Sequence, residues 1–151
     1  MRKMLMFALA GALSVVLVAA AATVRAAEFG TAGEAKAMLE RAVAAIKADK
    51  ARALATFSKG EGGFKDRDLY PFCGGPDGNF TVHPTLTGKS LKGLKDKAGK
   101  ALGEEIYKVA QEGKISEVTY MWPRPGGDQP VQKVTFVTKV GDQVCAVGYY
   151  K

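Results

Sequence analysis

The C-terminal part of the chain constrains the fold most. Three runs, Ile115 to Trp122, Val131 to Val140 and Gln143 to Tyr150, are rich in β-branched and aromatic residues and read as strands. Gly126-Gly127-Asp128 and Gly141-Asp142 supply the turns between them. Strands joined by connections this short run antiparallel. Alternation along the first of them puts Val118, Tyr120 and Trp122 on one face. Pro123 and Pro125 cannot donate to a ladder, so that strand ends or bulges beside Arg124.

Upstream the period changes. Thr31 followed by Glu34 fits a capping box, and Ala35, Met38, Leu39, Ala42, Val43 and Ile46 then recur at helical spacing. Lys50 to Phe57 resumes that pattern, as a short second helix or a continuation, until Gly60, Gly62 and Gly63 break it. Leu69 to Cys73 is a short apolar strand made irregular by Pro71. Asp77-Gly78 marks a hairpin turn, and Phe80 to His83 is a second strand ended by Pro84. After a lysine-rich linker, Leu102, Ile106, Val109 and Ala110 share a helical face between Ala101 and Glu112. Glu104 and Lys108 are spaced as an i,i+4 pair there, and Gly113 stands as a C′ residue. The order is helix, two strands, helix, three strands. It predicts an α+β fold: a PAS-like five-stranded antiparallel sheet with a long N-terminal helix and a crossing helix. Such a sheet can enclose one small ligand between its concave face and the crossing helix.

The N-terminus speaks to the compartment. Arg2 and Lys3 precede an apolar run from Met4 to Val18, and Val24-Arg25-Ala26 offers small residues at both recognition positions of a cleavage site. This predicts a signal peptide over 1–26, cut before Ala27, and one exported, periplasmic domain over 27–151. The other reading is an uncleaved anchor, since the apolar run reaches Ala22. No later segment approaches the ~20 apolar residues that span a bilayer, so no stable membrane anchor is expected after cleavage. The formal charge of +7 shrinks by the three basic residues of the leader, and the remaining lysines are spread out. That argues against a nucleic-acid partner, which calls for a dense basic stripe with interleaved aromatics. Cys73 and Cys145 are an even pair in an oxidising compartment and form a candidate disulfide, the alternative being two buried thiols. His83 is the only histidine and no Cys/His cluster exists, so no metal site is expected. The glycine pairs lack phosphate-loop spacing, and no cofactor is expected.

Taken in order, Asp68-Leu69-Tyr70, Asp77-Gly78-Asn79-Phe80-Thr81-Val82-His83-Pro84, Gly88-Lys89, Gly99 to Glu105, Tyr120 to Gly126, Pro130 to Val134 and Val147-Gly148-Tyr149-Tyr150 resemble a single Cache domain. The resemblance covers nearly the whole mature chain. It implies an extracytoplasmic, PAS-like sensing module whose ligand is a small organic molecule, often a short carboxylate. Family members are mostly the sensory portions of chemoreceptors or histidine kinases. With no second membrane segment or output region expected here, the signalling partner stays open.

Five residues are candidates for the ligand site. Arg124 has a planar fork of donors suited to a carboxylate, or is an exposed turn residue. Lys133 shares a strand face with Thr135 and Val137, and either points into a cavity as an anion partner or snorkels to the surface. Tyr120 and Trp122 wall a pocket or simply pack a core. His83 contacts ligand or pins the loop that follows it. Asp66 and Asp68 read as solvated. Two rival functions remain: an enzyme with His83 as general base, and an interaction protein whose sheet edge receives a partner chain.

Overall fold

The computed structural model describes residues 27–151; the expected signal peptide lies outside the described residues. The capping box forms in both directions. Thr31 Oγ1 accepts from the Glu34 N–H at 3.3 Å, and the Glu34 carboxylate accepts from the Thr31 N–H at 2.8 Å. It opens α1 (Ala32–Ala48), which buries Ala35, Met38, Leu39, Ala42 and Ile46. Asp49 ends this helix and starts the next. Its backbone N–H bonds Ala45 O, while its side chain accepts from the Arg52 N–H to cap α2 (Lys50–Lys59). The resumed pattern is therefore a second helix. Among the described residues no helix is long and apolar enough to cross a membrane.

Five strands, β1 (Pro71–Gly74), β2 (Phe80–Val82), β3 (Ser116–Pro123), β4 (Pro130–Val140) and β5 (Gln143–Tyr150), form one antiparallel sheet in the order β2-β1-β5-β4-β3. The last strand thus lies at the centre, beside the first. Alternation along it separates two cores. Cys145 and Val147 face α1 together with Cys73 and Phe136. Val144 and Ala146 face the other side, with Phe72, Val118, Tyr120 and Val137, under α3 (Leu102–Val109). The fold is α+β and PAS-like, as the element order predicts.

Four local expectations need correcting. The crossing helix stops at Val109 rather than Glu112, because Gln111 O is taken by β4, accepting from the Lys139 N–H and the Thr138 hydroxyl. Gly113 (φ 75°) consequently sits in a tight turn between Gln111 and Lys114 and is not a C′ residue. Among the described residues Glu104 forms no ion pair with Lys108; instead Lys100 meets Glu105 at 2.6 Å. Asp68 is not solvated. It is 5 % exposed, and its Oδ1 accepts from the Gly30 N–H at 2.7 Å.

The segment between β2 and α3 is tied down along the outer edge of β3. Asp96 is 7 % exposed and accepts from three amides, Ala98 and Lys100 at 2.8 Å and Met121 at 2.9 Å. The Lys97 N–H returns to Met121 O at 3.1 Å, and Lys100 Nζ donates to Thr119 O at 2.9 Å. Burial works against the ionised Asp96, but the three amides outweigh it and hold its pKa below the usual carboxylate range.

Cys73 and Cys145 are direct register partners on the α1 face, fully buried and disulfide-bonded, with Cα atoms 4.1 Å apart. The bridge closes a loop of 72 residues. In the chain-entropy account such a loop contributes about 4 kcal/mol. Replacing both cysteines by alanine is expected to lower the stability measured in urea by about 2–4 kcal/mol; an unchanged midpoint would contradict it. Asp96→Ala is expected to cost about 2 kcal/mol and to speed hydrogen exchange at the Ala98, Lys100 and Met121 amides ahead of the central strands.

Candidate ligand site

Under α3 the sheet closes on a small cavity. Tyr70 and Phe72 from β1 and its lead-in, Phe80 from β2 and His83 just after it, Tyr120 and Trp122 from β3, Leu94 from the linker, and Leu102 and Ile106 from α3 line it. Its volume is about 10 Å³, room for roughly one water. Gly103 lets α3 sit this close to the linker, since a Cβ there would collide with the Leu91 carbonyl oxygen.

Immediately behind Tyr70 lies the most unusual group of the fold. Lys133, in the middle of β4, is 1 % exposed. Its Nζ donates to Tyr70 Oη at 3.0 Å and sits 4.4 Å from the Tyr70 ring centroid and 4.9 Å from that of Tyr150. Among the described residues no carboxylate forms an ion pair with it. Burial lowers its pKa to about 7, with the charge of Asp68 pulling weakly the other way. Beside it the Thr135 hydroxyl donates to Tyr120 Oη at 2.9 Å. Burial also raises the phenols, Tyr70 to about 12 and Tyr120 and Tyr150 further, so all three stay protonated and able to donate.

His83 serves two sides. Its Nδ1 accepts from the Thr85 and Leu86 amides at 3.0 and 3.1 Å, and the Thr87 hydroxyl bridges its backbone N–H and carbonyl. The ring therefore pins the following loop. With Nδ1 accepting, the neutral ring carries its proton on Nε2, leaving that N–H as the donor of a side chain that lines the cavity. Burial first, and Lys133 second, hold its pKa down at about 4.

Arg124 lies elsewhere. Its guanidinium is 4.1 Å from the Phe29 ring and 5.0 Å from the Tyr150 ring, and Nε is 3.5 Å from Asp68 Oδ2. The result is a continuous stack: Tyr70, Lys133, Tyr150, Arg124, Phe29. Arg124 is its outer cation, drawn off by the buried Asp68, and does not line the cavity. Tyr120, Trp122 and His83 do line it, with Lys133 one aromatic layer behind. Trp122 is half-buried and carries Lys97 Nζ 5.7 Å above its ring.

Sequence reasoning did not single out Tyr70, Tyr150 or Leu94 for the site. Tyr150 was within reach of it. The two-residue turn at Gly141-Asp142 pairs Val140 with Gln143, and counting outward places Tyr150 opposite Lys133. Tyr70 depends on the non-local pairing of β1 with β5, which no local signal reports.

The profile of the Cache domain family matches residues 35–150. The chain is 31 % identical over 56 residues to the methyl-accepting chemotaxis protein McpP of Pseudomonas putida, a stretch that covers 37 % of this chain and 10 % of that protein. Among solved structures, a methyl-accepting chemotaxis protein from Vibrio parahaemolyticus superposes with a TM-score of 0.64 at 26 % identity, covering 78 % of this chain and 86 % of the other. A Cache chemosensory domain described for carboxylic acid recognition shares the fold, with a TM-score of 0.55 at 21 % identity over 76 % of this chain and 84 % of its own. Profile, fold and sheet order agree: the chain belongs to the Cache domain family.

Proposed function

We propose that this protein is an exported sensing domain that binds a short organic carboxylate and performs no chemistry on it. The leader over 1–26 would direct export to the periplasm and be removed before Ala27. The observation that carries the reading is Lys133: a buried ammonium, unpaired with any carboxylate among the described residues, one ring away from the cavity. A buried charge without a counter-ion is costly, and an incoming carboxylate supplies one. Tyr70, Tyr120 and the His83 Nε2–H offer neutral donors around the same point, and Trp122, Phe72 and Phe80 enclose the hydrocarbon part. Arg124 supports the site from outside by fixing Tyr150. The Cache chemosensory domain with the same fold is described for carboxylic acid recognition, which agrees with this reading. The cavity is too small for a carboxylate as it stands, so binding requires the side chains that line it to move apart.

His83 argues for binding over catalysis. Its Nδ1 is held by two amides rather than by an orienting acid, and a pKa near 4 makes it a weak base at neutral pH. A ligand-binding role needs only its fixed N–H.

Acetate titrated calorimetrically into the mature protein tests the site. Lys133→Met is expected to weaken acetate binding by about tenfold to a hundredfold, the worth of a charge-assisted hydrogen bond. Unchanged affinity would remove Lys133 from the site. The pH profile follows from the pKa of about 7: above it the free amine must regain a proton to meet the anion, so affinity falls about tenfold per pH unit. A flat profile from pH 6 to 9 would contradict a charged Lys133 as the anchor. Stability moves the opposite way. Between pH 7 and 10.5 the unfolded lysine holds more proton than the folded one, so the unliganded protein gains stability as pH rises through that window. Lys133→Met should abolish that gain in denaturant melts.

A further inference from the structure

Gly148 has no backbone reason to be glycine. It lies inside a regular ladder opposite Thr135, and it is absent from the glycines with positive φ. Glycine within a strand costs about 0.5–1 kcal/mol relative to alanine, so something else must favour it here. The reason lies above its Cα. A Cβ at this position would collide with Thr135 Oγ1 and come within 2.5 Å of Lys133 Cε and 3.2 Å of Lys133 Cγ. The Lys133 stem therefore lies flat across the bare Cα of residue 148, with the Tyr150 ring beside its ammonium.

We propose that Gly148 is a positioning residue for carboxylate recognition: its missing side chain is the slot that carries the Lys133 stem along β5 and delivers Nζ to Tyr70 Oη behind the cavity, while Thr135 keeps its hydroxyl on Tyr120. The proposal rests on the reading that Lys133 anchors the ligand. Any side chain at 148 lifts the lysine off the sheet. The charge survives, but the ammonium leaves its place between the Tyr70 and Tyr150 rings and the carboxylate loses its fixed partner. Thr135 must also turn, which frees the Tyr120 hydroxyl. The depth at which Lys133 rests thus sets where an anionic head group is held and how much of the cavity remains for its hydrocarbon tail.

Gly148→Ala and the double variant Gly148→Ala/Thr135→Ala test this beside Lys133→Met, with acetate titrated by calorimetry at several pH values. Gly148→Ala is expected to weaken acetate binding by about tenfold or more. It should also move the pH at which affinity begins to fall upward from about 7, towards the ordinary lysine value, because the ammonium becomes better solvated. Thr135→Ala removes the hydroxyl that the new methyl meets, so the double variant should recover stability but not affinity, the overlap with Lys133 remaining. If Gly148→Ala alone does not fold, the double variant carries the test. Wild-type affinity and pH profile in the alanine variants, with binding lost in Lys133→Met, would overturn the role of Gly148 and leave the carboxylate reading intact. Recovery of affinity in the double variant would overturn it too, by placing the effect in Thr135. Wild-type affinity in Lys133→Met would overturn both.

Discussion

The ammonium of Lys133, buried on the α3 face of β4, is the constraint around which the cavity side of this protein is organised. A lysine at 1 % exposure is a large penalty for a domain of this size. The surroundings reduce it without cancelling it. Two tyrosine rings offer their faces, one phenol accepts a hydrogen bond, and the charge of Asp68 acts through space. Nothing among the described residues neutralises the charge by contact. The tension is expressed as a proton held less tightly than lysine normally holds one.

The architecture separates this strained region from what holds the fold together. Because side chains alternate across β5, the disulfide and the α1 core sit on one side of the central strand, and Ala146, Gly148 and Tyr150 sit on the other with the cavity. The covalent tie therefore braces the floor of the site without entering it. The outer cation, Arg124, is likewise kept out by Asp68, which also receives the Gly30 amide at the start of α1. The stack from Tyr70 to Phe29 thus runs unbroken from the cavity wall to the N-terminal lead-in, so a change at Lys133 has a physical route to the approach to the first helix.

Much of this was legible in the sequence where the determinants are local. The Thr31/Glu34 cap, the Gly141-Asp142 turn and the face shared by Val118, Tyr120 and Trp122 depend on neighbours or on simple periodicity. The five-stranded α+β layout followed from their order. What escaped depends on contacts distant in sequence. Asp68 looks like a solvated acid in its own segment, and only the packing of Gly30 and Arg124 against it explains its burial. The direction of Arg124, beside its two prolines, is fixed by Phe29 and Asp68, far away in the chain. The crossing helix was overextended because the competitor for its last carbonyls, β4, is 27 residues downstream of Gln111.

The Asp96 clamp has a bearing on how the protein behaves in company. An exposed edge strand is a template for another chain, and β3 would be such an edge. Here Met121 already gives its N–H to a carboxylate and its carbonyl to the Lys97 amide, and Thr119 O is covered by a lysine. A strand from a neighbouring molecule would have to evict an ionised, buried acid before it could pair. The linker that supplies Leu94 to the cavity wall is therefore the same segment that covers the outer border of the sheet.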